Sequence, residues 1–453
     1  MPNEVSLLKP LGYQRKSSCG YCKSTTGSSA YYMSCDNLRL DHYQELMDRG
    51  WRRSGSLYYK PDLLHSCCPQ YTIRYLKAAD FKPGRESRRA INKWNDFVIG
   101  LEYKRKAAML CPRSREQKRR TRDRFDLLSA VHQAESNNIK RPFDRKTGQP
   151  IEPAHKFEVN LEGDSFTKEK YDVFLKYQLQ IHKDPASRWK EQAFTRFLCK
   201  GLDRKILKIN GKTLKLGSYH QCYRLDGKLV AVGVLDLLPH AVSSVYLFYD
   251  PEYQDWDLGK ISALREIALA LEGHYEYYYM GYYIHSCIKM RYKARFSPSY
   301  LLDPESFEWN LFDDNNRREL DKRKYVSLSR DRKYGVAHEE SNDSAASSTE
   351  LSVFDDEQDL EFDEAPSDEE DAEIPEGSLF DYNIPGVLSK DEVQRLDLDH
   401  WRLLVRNAFI ELEDLRGWED WTIDNPGSIK GIAAELIAAT GPNLLQNSAL
   451  DLF

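Results

Sequence analysis

A chain of 453 residues, 41% of them hydrophobic, with a net charge of −5 has the composition of a globular protein of two or three domains. No window approaches about twenty consecutive apolar residues, and the N-terminus lacks the apolar core of a secretory signal, so we expect neither a membrane span nor export. We predict a cytoplasmic or nuclear protein whose nine cysteines serve as thiolates, ligands or core residues rather than as a disulfide framework.

The net charge conceals a segregation of signs. Residues 339–376 hold seventeen acidic residues and no Lys or Arg, so taking these charges away from −5 leaves the rest of the chain at +12. Residues 101–146 hold fourteen Lys or Arg against six acids. A basic body of this kind suits a polyanion such as nucleic acid, although a solvated charged helix explains an isolated run equally well.

Residues 1–97 contain two pairs of cysteines. Cys19 and Cys22 stand three apart in "SSCGYCKST", and Cys67 and Cys68 are adjacent in "HSCCPQYTIR". A Cys-x-x-Cys turn can direct two sulfurs at one metal, and the adjacent pair can complete a four-thiolate shell. We predict a cysteine-rich metal-binding domain with short strands at "SLYYKP" and "QYTIRYL". Cys35 and His65 are reserve ligands that more simply pack nearby.

Residues 98–165 are basic, compatible with helix at first and loop-like around "NNIKRPFDRKTGQPIEP", so we predict a helical or linker insertion. Beyond the next domain, residues 336–380 form an acidic segment with few aromatic residues, which predicts disorder. Residues 381–453 are predicted to be helical, because "SKDEVQRLDLDHWRLLVRNAFIELEDL" has apolar residues at helical spacing, with Ser389 as a cap before Glu392.

Residues 166–335 indicate a mixed α/β domain. "YHQCYRL" and "KLVAVGVLDLL" flank Asp226-Gly227, a dipeptide favoured in hairpin turns, and "SSVYLFYD" is typical of another strand. "LGKISALREIALALEG" is an amphipathic helix with Gly259 near its start and Gly273 past its end, and "YEYYYMGYYI" follows as a strand. This order is that of acetyltransferase-like (GNAT-like) folds, and the helix N-terminus can hold a phosphate or the terminal adenosine of an RNA.

Several stretches together resemble the eukaryotic arginyl-tRNA–protein transferase family. "CGYCK", "YQELMDRGWRRSGSLYYKP" and "CCPQYTIR" resemble its N-terminal region. "SYHQCYRLDGKLVAVGVLDLLP", "VSSVYLFYDP", "LGKISALREI" and "YYMGYYIHSCIKMRYKARFSPSYLLDPE" resemble its catalytic region. The chain departs from the family at Ile288, where proline is expected, and at Asp303, where cysteine is expected; the latter position is therefore left out of any metal site.

The resemblance implies a transferase that moves arginine from Arg-tRNA to the N-terminal α-amine of proteins beginning with Asp, Glu or oxidised Cys and so marks them for N-degron degradation. It places an iron–sulfur cluster ([4Fe-4S]) or Zn²⁺ on the four cysteines, and ligand identity alone does not decide between them. The reaction needs no ATP because the tRNA ester is already activated.

The chemistry is aminolysis of an ester by an amine with a pKa near ~8. It requires positioning and one modest proton acceptor. With the resemblance, we predict that Asp236, which follows the apolar run "LVAVGVL", holds and deprotonates the amine. Its alternative is a turn residue before Leu-Leu-Pro.

Cations are needed for the acidic acceptor and for tRNA phosphate. In "KMRYK", an extended backbone would place Lys289, Arg291 and Lys293 on one face. Further predicted substrate or tRNA contacts are Arg85, Arg88, Arg89, Tyr219, His220, Tyr246, Gly259 and Lys260. Asp250, Glu252 and Asp257 are candidates to pair with the guanidinium of the transferred arginine.

Two other functions remain open. An acyl-CoA-dependent N-acetyltransferase would need a fuller phosphate loop than "YQDWDLGKISA", which offers Gln254 and a single glycine, Gly259. A metal-stabilised RNA-binding adaptor without turnover would bind tRNA irrespective of its aminoacyl group.

Overall fold

The computed structural model describes residues 5–75, 80–112, 114–116, 119, 125–209, 211–335 and 377–452. The segment predicted to be disordered, residues 336–380, lies outside the described residues up to residue 376, as does part of the basic run after residue 112. Its last residues are ordered, because Ser378 caps a 3₁₀ helix that begins at Leu379. The described chain is a mixed α/β structure organised around two large β-sheets.

The first sheet joins both ends of the described chain. Its seven strands run in the order β17-β16-β18-β1-β2-β4-β3. The N-terminal strand β1 pairs in parallel with the C-terminal strand β18 and antiparallel with β2. The strands are β1 (Ser6–Ser17), β2 (Ser28–Ser34), β3 (Arg52–Ser54), β4 (Leu57–Pro61), β16 (Arg402–Val405), β17 (Ala408–Glu411) and β18 (Ser448–Leu450).

The second sheet has nine strands, eight of them in the order β15-β14-β5-β13-β12-β11-β10-β8, with β9 paired to β10. Strand β5 comes from the cysteine-rich region, yet it pairs with β13 and β14. The strands are β5 (Tyr71–Tyr75), β8 (Phe157–Gly163), β9 (Lys205–Ile209), β10 (Lys212–Leu225), β11 (Lys228–Leu237), β12 (Ala241–Tyr249), β13 (Tyr277–Tyr283), β14 (Ser299–Leu302) and β15 (Trp309–Leu311). A small hairpin of β6 (Phe143–Asp144) and β7 (Gln149–Pro150) stands apart.

The helices cover the faces and edges of the sheets. They are α1 (Leu40–Asp48), α2 (Arg85–Ile99), α3 (Leu101–Leu110), α4 (Leu127–His132), α5 (Lys168–Tyr177), α6 (Glu191–Leu198), α7 (Leu258–Glu272), α8 (Asp314–Lys322), α9 (Leu328–Tyr334), α10 (Lys390–Val393) and α11 (Ile429–Thr440). A π-helical turn (Gln178–His182) extends α5, and short 3₁₀ helices occupy Pro251–Trp256, Ile288–Arg295, Leu379–Tyr382, Leu412–Asp414 and Pro442–Leu445. No helix among the described residues is long and apolar enough to cross a membrane.

The hairpin, helix and strands predicted for residues 219–284 are confirmed. Asp226 and Gly227 both have positive φ, 52° and 84°, as the two central residues of a type I′ turn require. Helix α7 ends at Glu272, just before Gly273. The tyrosines of β13 are mostly buried, as expected for a strand inside the core.

The helical prediction for residues 389–415 is wrong. The capping box of Ser389 and Glu392 begins helix α10 as expected, but the helix ends at Val393. Strands β16 and β17 follow, joined by Arg406 and Asn407, both at positive φ. The spacing of the apolar residues is compatible with a helix and with a hairpin. The hairpin forms, and its strand β16 hydrogen-bonds in parallel to β18.

Trp51 shows how closely the two ends of the chain depend on each other. It is fully buried, and its indole Nε1 donates a hydrogen bond of 3.1 Å to the backbone oxygen of Ala439 in α11. One hydrophobic core therefore spans the cysteine-rich region and the C-terminal segment.

Trp51→Ala is expected to lower the free energy of unfolding by about 3–5 kcal/mol, because it removes a large buried side chain and the hydrogen bond to Ala439. Phe409→Ala, at a side chain that is 46% exposed, is the matched control and should cost less than about 1 kcal/mol. Denaturant-induced unfolding measures both, and equal losses would contradict a shared core.

Candidate functional site

Strands β12 and β13 are parallel neighbours that separate towards their carboxyl ends. They pair only from Ala241–Ser243 to Tyr277–Tyr279, although both strands continue further. A register shift between β11 and β12 leaves Val245 as a bulge just beyond the last pair. The carboxyl end of a parallel pair is the usual place for a ligand in α/β sheets.

A pocket fills this gap, and we call it the splay pocket. It holds about 580 Å³ of empty space, part of it open to solvent. Its floor comes from Ser243–Val245 of β12 and from Gly281 and Tyr282 of β13. The remaining lining residues come from the cysteine-rich region, α6 and the Ile288–Arg295 helix: Tyr43, Arg52, Arg53, Ser54, Tyr59, Phe197, Met290 and Lys293.

The splay pocket is positively charged. Arg52, Arg53 and Lys293 line it, and none of its lining side chains among the described residues is acidic, although Arg53 is paired with Asp236 behind the wall. Arg52 donates to the backbone oxygens of Trp51 (3.0 Å) and Gly281 (3.4 Å). Its guanidinium also lies within 6 Å of two tyrosine rings, and its Nε has no hydrogen-bond partner among the described residues. Such a site favours an anionic ligand.

Lys293 is almost fully buried at the pocket wall, where its Nζ donates to the backbone oxygen of Tyr282 at 2.7 Å. Burial, and after it the neighbouring Arg52, lower the pKa of Lys293 to about 7. A bound anion would raise this pKa again, because it favours the charged ammonium group. The lysine can thus respond electrostatically to an occupant.

Arg53 is neutralised by Asp236 across the two sheets. Nη2 and Nε of Arg53 donate to Oδ1 and Oδ2 of Asp236 at 2.5 and 2.7 Å, and the side chains are 2% and 0% exposed. Ser218 of β10 donates to Asp236 Oδ1 at 2.6 Å. Burial disfavours the charged guanidinium, but Asp236 outweighs it and raises the pKa of Arg53 above its ordinary value. The predicted role of Asp236 as a proton acceptor stays a prediction.

Two serines form the floor of the pocket on β12. Ser243 is 1% exposed, and its hydroxyl has no hydrogen-bond partner among the described residues. Ser244 hydrogen-bonds the buried carboxylate of Glu266 on α7. The pocket therefore offers hydroxyl groups as well as cations to a ligand.

The segment 288–295 is a 3₁₀ helix, so the predicted basic stripe of alternate residues does not form. With three residues per turn, Met290 and Lys293 share a face, and both line the splay pocket. Arg291 is exposed instead and donates to the backbone oxygen of His285. The side chain of Lys289 lies outside the described residues.

Arg85, Arg88 and Arg89 are exposed in the first turns of α2. Positions three and four apart share a helix face, so they form a basic patch. Further along the same helix, Lys93 donates to the backbone oxygen of Asp255. This contact places α2 beside the N-terminus of α7.

Gly259 and Lys260 lie half-buried at the N-terminus of α7, where Lys260 pairs with Asp257 at 2.8 Å. The other candidate partners for a guanidinium are also taken. Asp250 is buried between Lys176 and Lys228, and the exposed Glu252 pairs with Lys228 as well. Each of these carboxylates already has a lysine.

The predicted wall residues lie near the pocket without lining it. His220 is fully buried; its Nε2 donates to the backbone oxygen of Leu198 at 2.9 Å, and its Nδ1 has no hydrogen-bond partner among the described residues. Burial lowers its pKa to about 3, so the ring is neutral. Tyr246 accepts from Gln178 at 2.7 Å and packs edge-on behind Phe197 of the pocket wall. Tyr219 lies beneath Arg204.

The four predicted cysteines converge. The Sγ atoms of Cys19, Cys22, Cys67 and Cys68 lie within 4.8 Å of one another. Ile284 and Met290 pack with the buried Cys19 and Cys68, Cys67 and Cys287 border this cluster, and Cys22 is exposed. Four thiols in an apolar shell can bind a metal. The reserve ligands lie outside this set: Cys35 donates to Asn37, and His65 pairs with Asp62.

Arg52, Arg53 and Glu266 were missed as functional candidates from the sequence. The two arginines belong to "GWRRSGSLYYKP", where the only available signal was a pair of adjacent cations at the start of a strand. Glu266 stands inside the helix "LGKISALREIALALEG" among apolar residues, and that position was a readable signal for a buried carboxylate.

Two family models match the chain. Residues 17–89 match "Arginine-tRNA-protein transferase, N terminus", and residues 169–303 match "Arginine-tRNA-protein transferase, C terminus". The four cysteines lie in the first match, and β12, α7 and β13 lie in the second.

Whole proteins are similar as well. Arginyl-tRNA–protein transferase 1 of Arabidopsis thaliana is 30% identical over 72% of this chain and 76% of its own length. The Drosophila melanogaster protein of that name is 31% identical over 72% and 86%. Aspartate/glutamate leucyltransferase of Pseudomonas fluorescens is 25% identical over 63% of this chain and 90% of its own length. The solved structure of L-PGS from Bacillus licheniformis covers 53% of this chain and 50% of its own, with 9% identity and a TM-score of 0.22, too low to assign a fold.

Asp236→Asn is expected to lower the free energy of unfolding by about 3–5 kcal/mol, because it leaves the buried Arg53 guanidinium uncompensated. The matched control is Asp424→Asn, which breaks an ion pair with Lys390 whose side chains are 49% and 43% exposed. It should cost about 0.5 kcal/mol or less. Similar losses in both variants, measured by denaturant unfolding, would refute a stabilising role for the buried pair.

Proposed function

This chain belongs to the arginyl-tRNA–protein transferase family, and we propose that the splay pocket is where it joins arginine to an acceptor protein. The protein is an enzyme that transfers arginine from Arg-tRNA to protein. The observation that carries the proposal is the position of a cationic pocket at the carboxyl ends of β12 and β13, inside the segment shared with the family's C-terminal region.

The splay of β12 and β13 also supports an acetyltransferase-like arrangement of the catalytic sheet. Beyond the last pair, the backbone of β12 faces the pocket instead of a neighbouring strand. An extended acyl or aminoacyl group can lie along such a free strand edge. Helix α7 connects the two strands, as the crossover of a parallel pair requires.

The acceptors are proteins that begin with Asp, Glu or oxidised Cys. Arg52 and Lys293 bind the negative group of the first side chain, with the hydroxyl of Ser243 as a further donor. Relatives named aspartate/glutamate leucyltransferases support acidic acceptors. A sulfinate or sulfonate of oxidised cysteine carries the same charge and the same kind of acceptor oxygens.

The tRNA is gripped through its phosphates. Arg85, Arg88 and Arg89 of α2 form the exposed patch, and the N-terminus of α7, at Gly259 and Lys260, lies beside the same helix. Binding of this kind weakens steeply with salt because counterions are released. The ester bond of Arg-tRNA supplies the free energy of transfer, so the scheme consumes no ATP.

Asp236 acts by holding Arg53 in the pocket wall. Both of its carboxylate oxygens are occupied by Arg53, and one also accepts from Ser218. Breaking these bonds would leave a buried guanidinium unpaired, which is costly. We therefore assign it the positioning of Arg53 rather than deprotonation of the amine.

The four cysteines would hold one Zn²⁺ ion. A tetrahedral site with Zn–S bonds of about 2.3 Å places its sulfurs about 3.8 Å apart, which suits thiols that all lie within 4.8 Å of one another. An iron–sulfur cluster holds its thiolates on separate irons and needs more room. The ion's role is structural, because Met290 packs on the cysteines and also lines the splay pocket. Reduced thiols of this kind suit a cytoplasmic or nuclear protein.

Arg52→Met is expected to raise the KM for a peptide beginning with Asp about 10- to 100-fold, because it deletes a charge-assisted hydrogen-bond donor. Transfer to a matched peptide beginning with Ala should change little, so the ratio of kcat/KM for the Asp peptide to that for the Ala peptide should fall. The measurement uses labelled Arg-tRNA and both peptides. Arg291→Met removes an exposed cation of the neighbouring helix and should behave as the wild type. An unchanged preference in both Arg52→Met and Lys293→Met would rule out the splay pocket as the acceptor site.

Cys67→Ser is expected to reduce bound zinc from about one ion per chain to about a tenth of that, because it removes one of four thiolates. Elemental analysis of protein purified without oxygen gives zinc and iron together. Cys111→Ser, at an exposed cysteine outside the set, is the control and should leave the metal content unchanged. Iron at about four atoms per chain would replace the zinc proposal with a cluster.

A further inference from the structure

We infer that Glu266 and Ser244 form a proton path that leads from the splay pocket into the core and serves the transfer step. The inference rests on the splay pocket being the active site. Ser244 lines the pocket on β12, and Glu266 lies behind it on α7. Glu266 is the positioning residue, because it reaches the reacting groups only through the serine.

Glu266 is a buried carboxylate with an unusual environment. It is 1% exposed, and no Lys, Arg or His among the described residues forms an ion pair with it. Its partners are hydroxyl groups: Ser262 donates to Oε1 at 2.5 Å, Tyr278 donates to Oε2 at 2.6 Å, and Ser244 also hydrogen-bonds the carboxylate. All of these bonds can adjust to gain or loss of a proton.

A packing role does not explain a carboxylate at this position. The buried face of α7 around it carries the apolar Ile261, Leu264 and Ile267, and Ser262 is the polar neighbour that donates to the carboxylate. Burying an unpaired carboxylate costs free energy that an apolar residue would not. The sheet also leaves room for it, because a Cβ at Gly233 would lie 3.4 Å from Glu266 Oε1. The fold thus accommodates the acid beneath the pocket.

The titratable groups that face Glu266 are tyrosines, so Glu266 is the acid that can exchange a proton near neutral pH. They are Tyr223 of β10, Tyr278 of β13 and Tyr292 of the 288–295 helix. Burial raises the pKa of Tyr223 and Tyr292 above the ordinary range of tyrosine. Burial also raises the pKa of Glu266, and its hydroxyl donors offset this only in part. A carboxylate with a raised pKa is a better proton acceptor near neutral pH.

The proton path balances the reaction without another reactant. The neutral α-amine of the acceptor attacks the ester carbon of Arg-tRNA and forms the new N–C bond. Its nitrogen passes a proton to Ser244 Oγ, while the hydroxyl proton of Ser244 moves to Glu266. The C–O bond to the ribose then breaks, and the ribose oxygen takes the proton back from Glu266 through the same serine. Glu266 ends as it began, and no electron transfer occurs.

The first test compares two serines that both contact Glu266. Ser244→Ala removes the hydroxyl that lines the pocket, whereas Ser262→Ala removes one that does not. In single-turnover assays with labelled Arg-tRNA and an Asp peptide, Ser244→Ala is expected to react about 100-fold more slowly. Ser262→Ala keeps the pocket hydroxyl, and Glu266 keeps Ser244 and Tyr278 as partners, so this variant should lose about tenfold or less. Equal losses would assign the cluster a purely structural role and overturn the inference.

The second test is the pH profile of Glu266→Gln. In the wild type, log(kcat/KM) should rise with pH with a slope of about one over the range where only the acceptor amine titrates. At lower pH, where Glu266 is also protonated, the slope should be about two. In Glu266→Gln, the slope should stay near about one throughout. A limb of about two that persists in the variant refutes the proton path. If this variant does not fold, the two serine variants decide alone.

The outcomes separate the path from the site. If Arg52→Met narrows the acceptor preference while Ser244→Ala reacts normally, the splay pocket stands and the proton path falls. If neither variant has an effect, the active site lies elsewhere and both proposals fail.

Discussion

The buried ion pair of Arg53 and Asp236 is the constraint on which the candidate site depends. Arg53 lies in β3, the short edge strand of one sheet, and Asp236 lies in β11, a central strand of the other. Two charges that are 2% and 0% exposed are tolerable only when each fully satisfies the other. The pair therefore fixes where β3 meets β11, and with it the wall that the cysteine-rich region contributes to the splay pocket.

Neutralising one arginine lets its neighbour act on a ligand. The positive charge of Arg53 is neutralised by Asp236. Arg52 contacts backbone oxygens and tyrosine rings, which leave its positive charge uncompensated. Lys293 adds an amine from the 288–295 helix, and a bound anion favours its charged form. Met290 of that helix packs on Cys19 and Cys68, so the cysteine set and the cationic wall share one structural support.

Local signals predicted the local parts of this architecture. The Asp226-Gly227 turn, the helix between Gly259 and Gly273, and the Cys-x-x-Cys turn each depend on a few neighbouring residues, and each is readable in the sequence. Contacts between distant segments had no such signal. Arg53 and Asp236 are 183 positions apart, and β18 pairs with β1 from the other end of the described chain. The basic residues of the 288–295 segment are likewise compatible with a strand or a 3₁₀ helix when the sequence is read alone. In the fold the segment is a 3₁₀ helix that buries Lys293.

Two buried carboxylates flank the splay pocket, and their surroundings separate their roles. Both carboxylate oxygens of Asp236 accept from the guanidinium of Arg53, so this carboxylate holds a fixed cation in place. Glu266 has only hydroxyl donors, each of which can reorient when the carboxylate gains a proton. Pairs of acids driven apart by environment are how active sites divide positioning from proton transfer. In the proposed scheme, Asp236 therefore positions Arg53, and Glu266 receives the proton through Ser244.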